Sequence, residues 1–196
     1  LRALDADIVF LQEVQGHHAH HAFGELPMMA SRSSITRFSH HFAVGEGSAL
    51  PASAIGELFS VDPLHRQVIR NHPERSGSTF TTADLDLPLQ SDDPSVRPVF
   101  IANAPDGSLY IADFYEEYIA HGQNYQGQID ADTGRIYRLR ASDGVLDKDV
   151  NLQARSTREL LVLLSHPNRW QRQTAVRLLA ERRDPEIGRA SCRERV

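Results

Sequence analysis

The chain has 196 residues, 40% of them hydrophobic and 24% charged, with a formal net charge of −5 and a mean hydropathy of −0.40. That length allows one domain or two small ones, and no apolar run approaches the ~18 residues that span a bilayer. The acidic balance argues against a nucleic-acid-binding surface, which is usually basic. A single cysteine, Cys192, excludes a disulfide framework or a thiolate metal site.

In chain order, Leu1 to Leu4 reads as the end of a helix, Asp7 as a turn, and Ile8-Val-Phe-Leu11 as a continuous buried strand ending at Gln12-Glu13. His17-His18-Ala-His20-His21 brings four imidazoles close together. Such a run can catch Zn²⁺ or Ni²⁺ adventitiously, whereas a built site needs fixed geometry and supporting partners that this loop does not announce. Ile35-Thr-Arg-Phe-Ser-His-His-Phe-Ala-Val44 alternates, which places His40 and His41 in a strand.

An internal repeat follows. Gly56-Glu-Leu-Phe-Ser-Val-Asp62 and Gly107-Ser-Leu-Tyr-Ile-Ala-Asp113 share the pattern Gly-x-Leu-aromatic-x-small-Asp and begin 51 residues apart, with a weaker echo at Gly134-Arg-Ile-Tyr-Arg-Leu139. Each opens on a turn glycine and alternates with period 2, the mark of a short strand. A repeat of about 50 residues suits a four-stranded propeller blade, although a sandwich has similar local grammar. Val68 to Arg70, Ser78 to Thr82, Pro98 to Ala102 and Tyr118 to Ala120 are further short strands. Asp62-Pro63, Asn71-His-Pro73, Ser91-Asp-Asp-Pro94 and Pro105-Asp-Gly107 supply turn chemistry between them. Asp113, at a strand end, is expected to bond backbone amides, and Tyr110 and Tyr115 to alternate as packed strand residues.

After Leu146 the pattern changes. Ser156-Thr-Arg-Glu159 is a capping box ahead of Leu160, Leu161, Leu163 and Leu164, and His166-Pro167 stops that helix. Asn168 with Gln171 can cap a second helix, with Trp170, Thr174 and Leu178 on one face and Ala175 and Leu179 beside them. Two short amphipathic helices need neighbours to bury their stripes, as in a helical solenoid. Glu186 to Val196 has no apolar period and resembles, residue for residue, the translation of a common sequencing adapter, so Cys192 carries no functional argument. The expected organisation is therefore residues 1–23, a partial β-propeller over 24–147, the start of a HEAT-like repeat over 148–185, and an adapter-derived tail over 186–196. The fold class is mainly β followed by an α-helical hairpin, and the chain is expected to be a fragment of a longer protein.

Residues from about Leu26 to Pro185 resemble a family of dehydrogenase-like proteins of planctomycete- and verrucomicrobium-type bacteria. Their propeller is similar to that of the soluble quinoprotein glucose and sorbosone dehydrogenases. The motifs that carry the resemblance appear in the family's order: Gly56 to Arg66, Ser91-Asp92 through Val96-Arg-Pro-Val99, Pro105 to Tyr115, Ile119-Ala-His121, Gly134 to Arg138, Leu163 to Trp170 and Ala175 to Arg182. The resemblance implies a periplasmic or secreted oxidoreductase, a carbohydrate or small-molecule substrate, and pyrroloquinoline quinone with Ca²⁺ as cofactors of the parent protein. It also implies a cytochrome c domain or protein as electron acceptor, with heme confined to a part not present here, since no Cys-x-x-Cys-His occurs. Oxidising a sugar needs a base for the hydroxyl proton and cations for charge developing on the quinone. Arg97, ahead of a proline that fixes the backbone, is the candidate funnel-facing cation, with a salt-bridged blade residue as the competing reading. His121 is the candidate base; taken singly, His121 and His65 read as surface or core histidines.

Leu1 to Gly16, with its Leu-Gln-Glu-Val run at Leu11 to Val14, resembles the endonuclease/exonuclease/phosphatase family, which implies that Glu13 is a Mg²⁺ ligand. The later Asp-x-Asn and Ser-Asp-His groups of that family are absent at workable spacing, and one metal carboxylate cannot organise phosphoryl chemistry. A joint between unrelated reading frames within His17 to Phe23 is the expectation.

Three functions remain open at this level: a propeller oxidoreductase acting on carbohydrate, a non-catalytic carbohydrate- or protein-binding propeller, and a Mg²⁺-dependent hydrolase. A few blades alone leave open sheet edges exposed, so the chain is expected to be poorly soluble or to form oligomers on expression. Size-exclusion chromatography with thermal unfolding checks this, and a monomer with a cooperative melt contradicts it.

Overall fold

In the computed structural model, residues 39–117 and 132–183 are described throughout and residues 4–7 by their backbone. Among the described residues, eight strands form two open, four-stranded antiparallel sheets. The first sheet is a plain meander of β2 (His41–Val44), β3 (Leu58–Asp62), β4 (Gln67–Ser76) and β5 (Thr79–Gln90). The second runs β6 (Pro98–Asn103), β7 (Leu109–Asp113), β8 (Arg135–Ala141), with β1 (Leu4–Asp7) added outside β8. Two helices, α1 (Thr157–Val162) and α2 (Arg169–Arg182), follow. The mainly β fold with a short helical part after it is thus as the sequence implies. No helix among the described residues is long and apolar enough to cross a membrane.

Period-2 alternation places one apolar set per strand on the face between the sheets. Phe59 and Val61 of β3, Val68 of β4, Ile101 of β6, Leu109 and Ile111 of β7, and Tyr137 and Leu139 of β8 form one buried cluster with Leu50 and Ala54 from the β2–β3 connection. The sheets therefore stack face to face, and each such side chain contributes roughly 1.5–3 kcal/mol by leaving water. The sequence repeat is a repeat in space: β3 and β7 are the second strands of their sheets, and Gly56 and Gly107 before them share a left-handed φ of 84° and 85°.

The first strands of the two sheets meet along a seam bridged by side chains. Asn103 Nδ2 donates to Val44 O at 2.8 Å and its Oδ1 accepts from Glu46 N at 3.3 Å. His40 Nδ1 lies 3.0 Å from Val99 O, and the His41 ring stacks on Phe100 at 4.4 Å. Below the seam the chain at Gly47 to Ala49 touches the Gly107 turn, with Ala49 N donating to Gly107 O at 3.1 Å.

Three local expectations are corrected. Leu4 closes no helix: residues 4–7 pair antiparallel with β8, Leu4 opposite Ala141 and Asp7 opposite Arg138, because the open edge of β8 templates a strand whatever the local propensity. Asn71-His72-Pro73 makes no turn: β4 runs through it to Ser76 and pairs with β5 over a Gly77-Ser78 loop, Gly77 at φ 61°. Pro73 is tolerated there because β3 pairs with β4 only as far as Asn71, leaving one side of the strand without a ladder to break. Tyr115 is no strand residue, since it follows β7 at φ 49°. The Tyr118 to Ala120 strand falls outside the described residues.

The helices are positioned by capping groups that also reach the sheets. Ser156 and Glu159 form the expected capping box of α1. Asn168 caps α2 by accepting from Trp170 N at 2.9 Å and donates from Nδ2 to Ala104 O at 2.9 Å. Gln171 does not share in the cap; it is buried and donates to Pro105 O and Asp147 Oδ2. Glu46 supplies the anion at the positive end of α2, accepting from Arg169 N at 2.7 Å and pairing with Arg172 at 3.2 Å. Leu152, Leu160, Ala175, Leu178 and Leu179 form a second, smaller core.

A Cβ at Gly47 would fall 1.8 Å from Gly107 O, whereas one at Gly56 would meet open space. Gly47→Ala should therefore destabilise by about 2 kcal/mol or more through backbone displacement, and Gly56→Ala by only about 1 kcal/mol of left-handed strain. Urea unfolding of the two variants checks the order, and equal losses would refute the close approach.

Candidate functional site

The connections at one end of the stacked sheets, namely the β3–β4 loop, the β5–β6 connection and the segment after β7, gather the buried side chains of Asp62, Gln67, Arg97, Asp113 and Glu116. An aspartate closing each second strand organises them. Asp62, fully buried, accepts through Oδ1 from Leu64 N at 3.2 Å and His65 N at 3.1 Å. Its Oδ2 lies 2.7 Å from His65 Nδ1 and 3.3 Å from Gln67 Nε2. Asp113 stands at the equivalent position of β7. Its Oδ1 accepts from Arg97 N at 2.7 Å and Tyr115 N at 3.0 Å, and its Oδ2 from the Tyr137 hydroxyl at 3.0 Å. The expected amide-binding role of Asp113 is what the geometry shows, and it extends across the sheet to β8.

Arg97 is 6% exposed, and its guanidinium is directed at main chain. Nη1 donates to Val96 O at 2.9 Å and Nη2 to Glu117 O at 2.8 Å, while Nε is buried without a hydrogen-bond partner. Burial, and then the nearby Arg66 cation, hold its pKa below the usual arginine value. In this arrangement Arg97 ties the β5–β6 connection to the segment after β7; the bonds run to carbonyls, not to a carboxylate. Arg66 sits at φ 58° and is held by Ser91, which donates N–H to Arg66 O at 3.1 Å and accepts from Arg66 Nε at 3.3 Å. Tyr115 donates its hydroxyl to Asp93 Oδ2 at 3.0 Å, and Arg135 lies 3.9 Å over its ring. Two non-glycine residues with positive φ in facing loops mark a rigidly over-determined site.

Glu13 and His121 lie outside the described residues, as does the His17–His21 run. Among the described residues no group of three His, Cys, Asp or Glu side chains could hold a metal ion. An open groove of about 310 Å³ lies along the seam, between β2, β6 and the first turns of α2, with His41, Phe42, Phe100 and Trp170 on its walls. Sequence reasoning took His65 singly and missed its pairing with Asp62. The local signal was present: an aspartate ending a strand, a proline, and a histidine three residues on. Tyr137 gave no such signal, because its partner is 24 residues away in sequence and is met only across the sheet.

These features define a mainly β domain of two stacked meanders with a polar loop end. A family model described as a domain of unknown function, DUF7133, matches residues 12–143, about two thirds of the chain, and the chain belongs to that family. The match begins within the 1–23 segment and runs across His17 to Phe23. No curated protein and no solved structure matches the chain.

Burial and the Asp113 carboxylate push the Tyr137 phenol well above its usual range. The folded protein thus keeps this proton at a higher pH than the unfolded chain. The resulting stability is complete below the unfolded value near pH ~10 and is lost as pH rises through the folded one. Tyr137→Phe should cost about 1 kcal/mol at neutral pH and should lose less stability than wild type above pH ~10. Urea unfolding at both pH values checks this, and parallel alkaline losses would refute it.

Proposed function

We propose that the two sheets are consecutive blades of a β-propeller of the sugar-dehydrogenase-like class, and that the loop end built on Asp62 and Asp113 is part of the wall of a ligand-binding funnel. The observation that carries this is the β5–β6 connection. It leaves the strand farthest from the seam in one sheet and enters the seam strand of the next, so that equivalent residues recur 51 positions on, Asp62 to Asp113. A propeller is built by repeating that step around a ring. In the same reading α1 and α2, with their own small core, are the first pair of a HEAT-like solenoid.

The ligand class offered is a carbohydrate or related polyol, the parent protein being periplasmic or secreted; both come from the family resemblance of the sequence. The described residues do not by themselves fit a quinone or Ca²⁺. Arg97 is engaged by two carbonyls, and no cluster of three metal-ligating side chains is among them. No chemical step is therefore routed through either group. A non-catalytic, carbohydrate-binding propeller is the second reading, favoured by the self-satisfied bonding of Arg97, Asp113, Tyr115 and Tyr137, which makes a rigid wall.

Because this chain by itself is expected to be inactive, titration of the full-length parent protein with pyrroloquinoline quinone in the presence of Ca²⁺, followed by dye reduction with aldoses, separates the two. Saturable quinone binding with sugar-dependent dye reduction is the result the oxidoreductase reading expects. Neither binding nor reduction would sink that reading, and glycan-array binding without turnover would select the second.

A further inference from the structure

Asp62 and Asp113 stand at equivalent ends of the second strands and each accepts two backbone N–H groups: Asp62 takes both from its following loop, Leu64 and His65, whereas Asp113 takes one from its following loop, Tyr115, and one from Arg97 on the β5–β6 connection. The turn needs the aspartate in both places and a histidine in neither, since the residue three past Asp113 is Glu116. His65 is thus an addition to the first loop. Its Nδ1 lies 2.7 Å from Asp62 Oδ2, the Asp62 side chain having no exposed surface and the His65 side chain being 37% exposed. Gln67 Nε2, 3.3 Å from the same oxygen, fixes which face of the carboxylate meets the ring. A carboxylate only accepts, so in the neutral imidazole this contact places the proton on Nδ1 and leaves the Nε2 lone pair bare. No other described group bonds to that nitrogen. The next residue is Arg66 in its left-handed conformation, bonded through both main chain and Nε to Ser91, so the loop that carries the ring is held on both sides.

We propose that His65 is a proton acceptor at the loop end, positioned by Asp62, and that it acts on the hydroxyl of an alcohol or of water brought against the β3–β4 loop. The O–H bond breaks, the proton passes to Nε2 to give an imidazolium stabilised by Asp62, and the oxygen keeps the electron pair. A histidine within hydrogen-bond reach of the proton and oriented by a third group has the geometry of general-base catalysis. The assignment does not rest on the oxidoreductase reading, because it holds for any chemistry that begins by taking a proton from a hydroxyl.

The test uses the whole chain. Diethyl pyrocarbonate is the first probe: Nε2 attacks its carbonyl carbon, an N–C bond forms, and the C–O bond to the departing ethyl carbonate breaks, which yields CO₂ and ethanol. Peptide mass mapping should find His65 modified about tenfold faster than in Asp62→Asn, the order of effect of removing a partner that orients an imidazole. Nitrogen-15 NMR should show Nδ1 protonated in wild type and Nε2 protonated in Asp62→Asn, which keeps the amide-accepting oxygen of the turn. Hydrolysis of p-nitrophenyl acetate is the second probe. Wild type should exceed His65→Gln by about tenfold or more in kcat/KM, with a normal solvent deuterium isotope effect.

An unmodified His65, an Nε2 already protonated in wild type, hydrolysis no faster than in His65→Gln, or no isotope effect would each overturn the proposal. Equal modification rates in wild type and Asp62→Asn would remove Asp62 from it. Failure to bind quinone would count against the oxidoreductase reading and leave every one of these readouts in place.

Discussion

The apolar face shared by the two sheets is the constraint on which the rest of the molecule depends. A four-stranded meander cannot keep Phe59, Val61 and Val68 from water alone, and neither can the second sheet with Ile101, Leu109, Ile111 and Leu139. Stacking satisfies both at once. It also brings the first strands of the two sheets to a common seam, and that contact forces the backbone of Gly47 against Gly107. Because the strands are held in this way, the connections of both sheets emerge at shared ends, and the polar groups they carry are gathered without any one loop being rigid on its own.

At one end the gathering is done by buried carboxylates. Asp113 accepts from main chain on two different segments and from the Tyr137 hydroxyl, so one side chain joins the β5–β6 connection, the segment after β7 and β8. Burial raises the worth of each of these bonds and equally raises the cost of losing one. Arg97 adds a second tie through two carbonyls. The same arrangement around Asp62 leaves room for an imidazole, and the asymmetry between the two loops separates a structural turn from a turn with a chemical group on it. At the other end, Glu46 accepts from Arg169 N in the first turn of α2, and Ala104 O and Pro105 O accept from the side chains of Asn168 and Gln171. The helical part is thereby fixed to the sheets by one backbone N–H that would otherwise be orphaned at the helix start, that of Arg169, and by two side-chain amides.

Much of this was legible in the residues themselves. The repeat from Gly56 to Asp62 and from Gly107 to Asp113 announced two equivalent strands, since a turn glycine followed by period-2 alternation has few other solutions. The capping box at Ser156 to Glu159 and the stop at His166-Pro167 placed the first helix for similar local reasons. Local rules failed where a neighbour mattered more than the segment. Asn71-His72-Pro73 looks like a turn until it is known that β3 ends opposite Asn71 and leaves proline an unpaired side. Leu4 looks like the end of a helix and Asp7 like a turn until the open edge of β8 is present to pair with residues 4–7. Gln171 looks like part of a cap until Pro105 and Asp147 are beside it.

By itself the sequence determined the two repeated strands that end at Asp62 and Asp113, the glycine turns that open them, and where β structure gives way to helix, because these depend on residues within a few positions of one another. Tertiary structure alone decided that Arg97 turns its guanidinium to main-chain carbonyls, that Tyr137 meets Asp113, and that His65 shares a buried carboxylate while keeping one nitrogen bare. Each of those depends on how far a side chain is removed from water and on which partner lies within about 3 Å, and both quantities exist only once the two sheets have closed on one another.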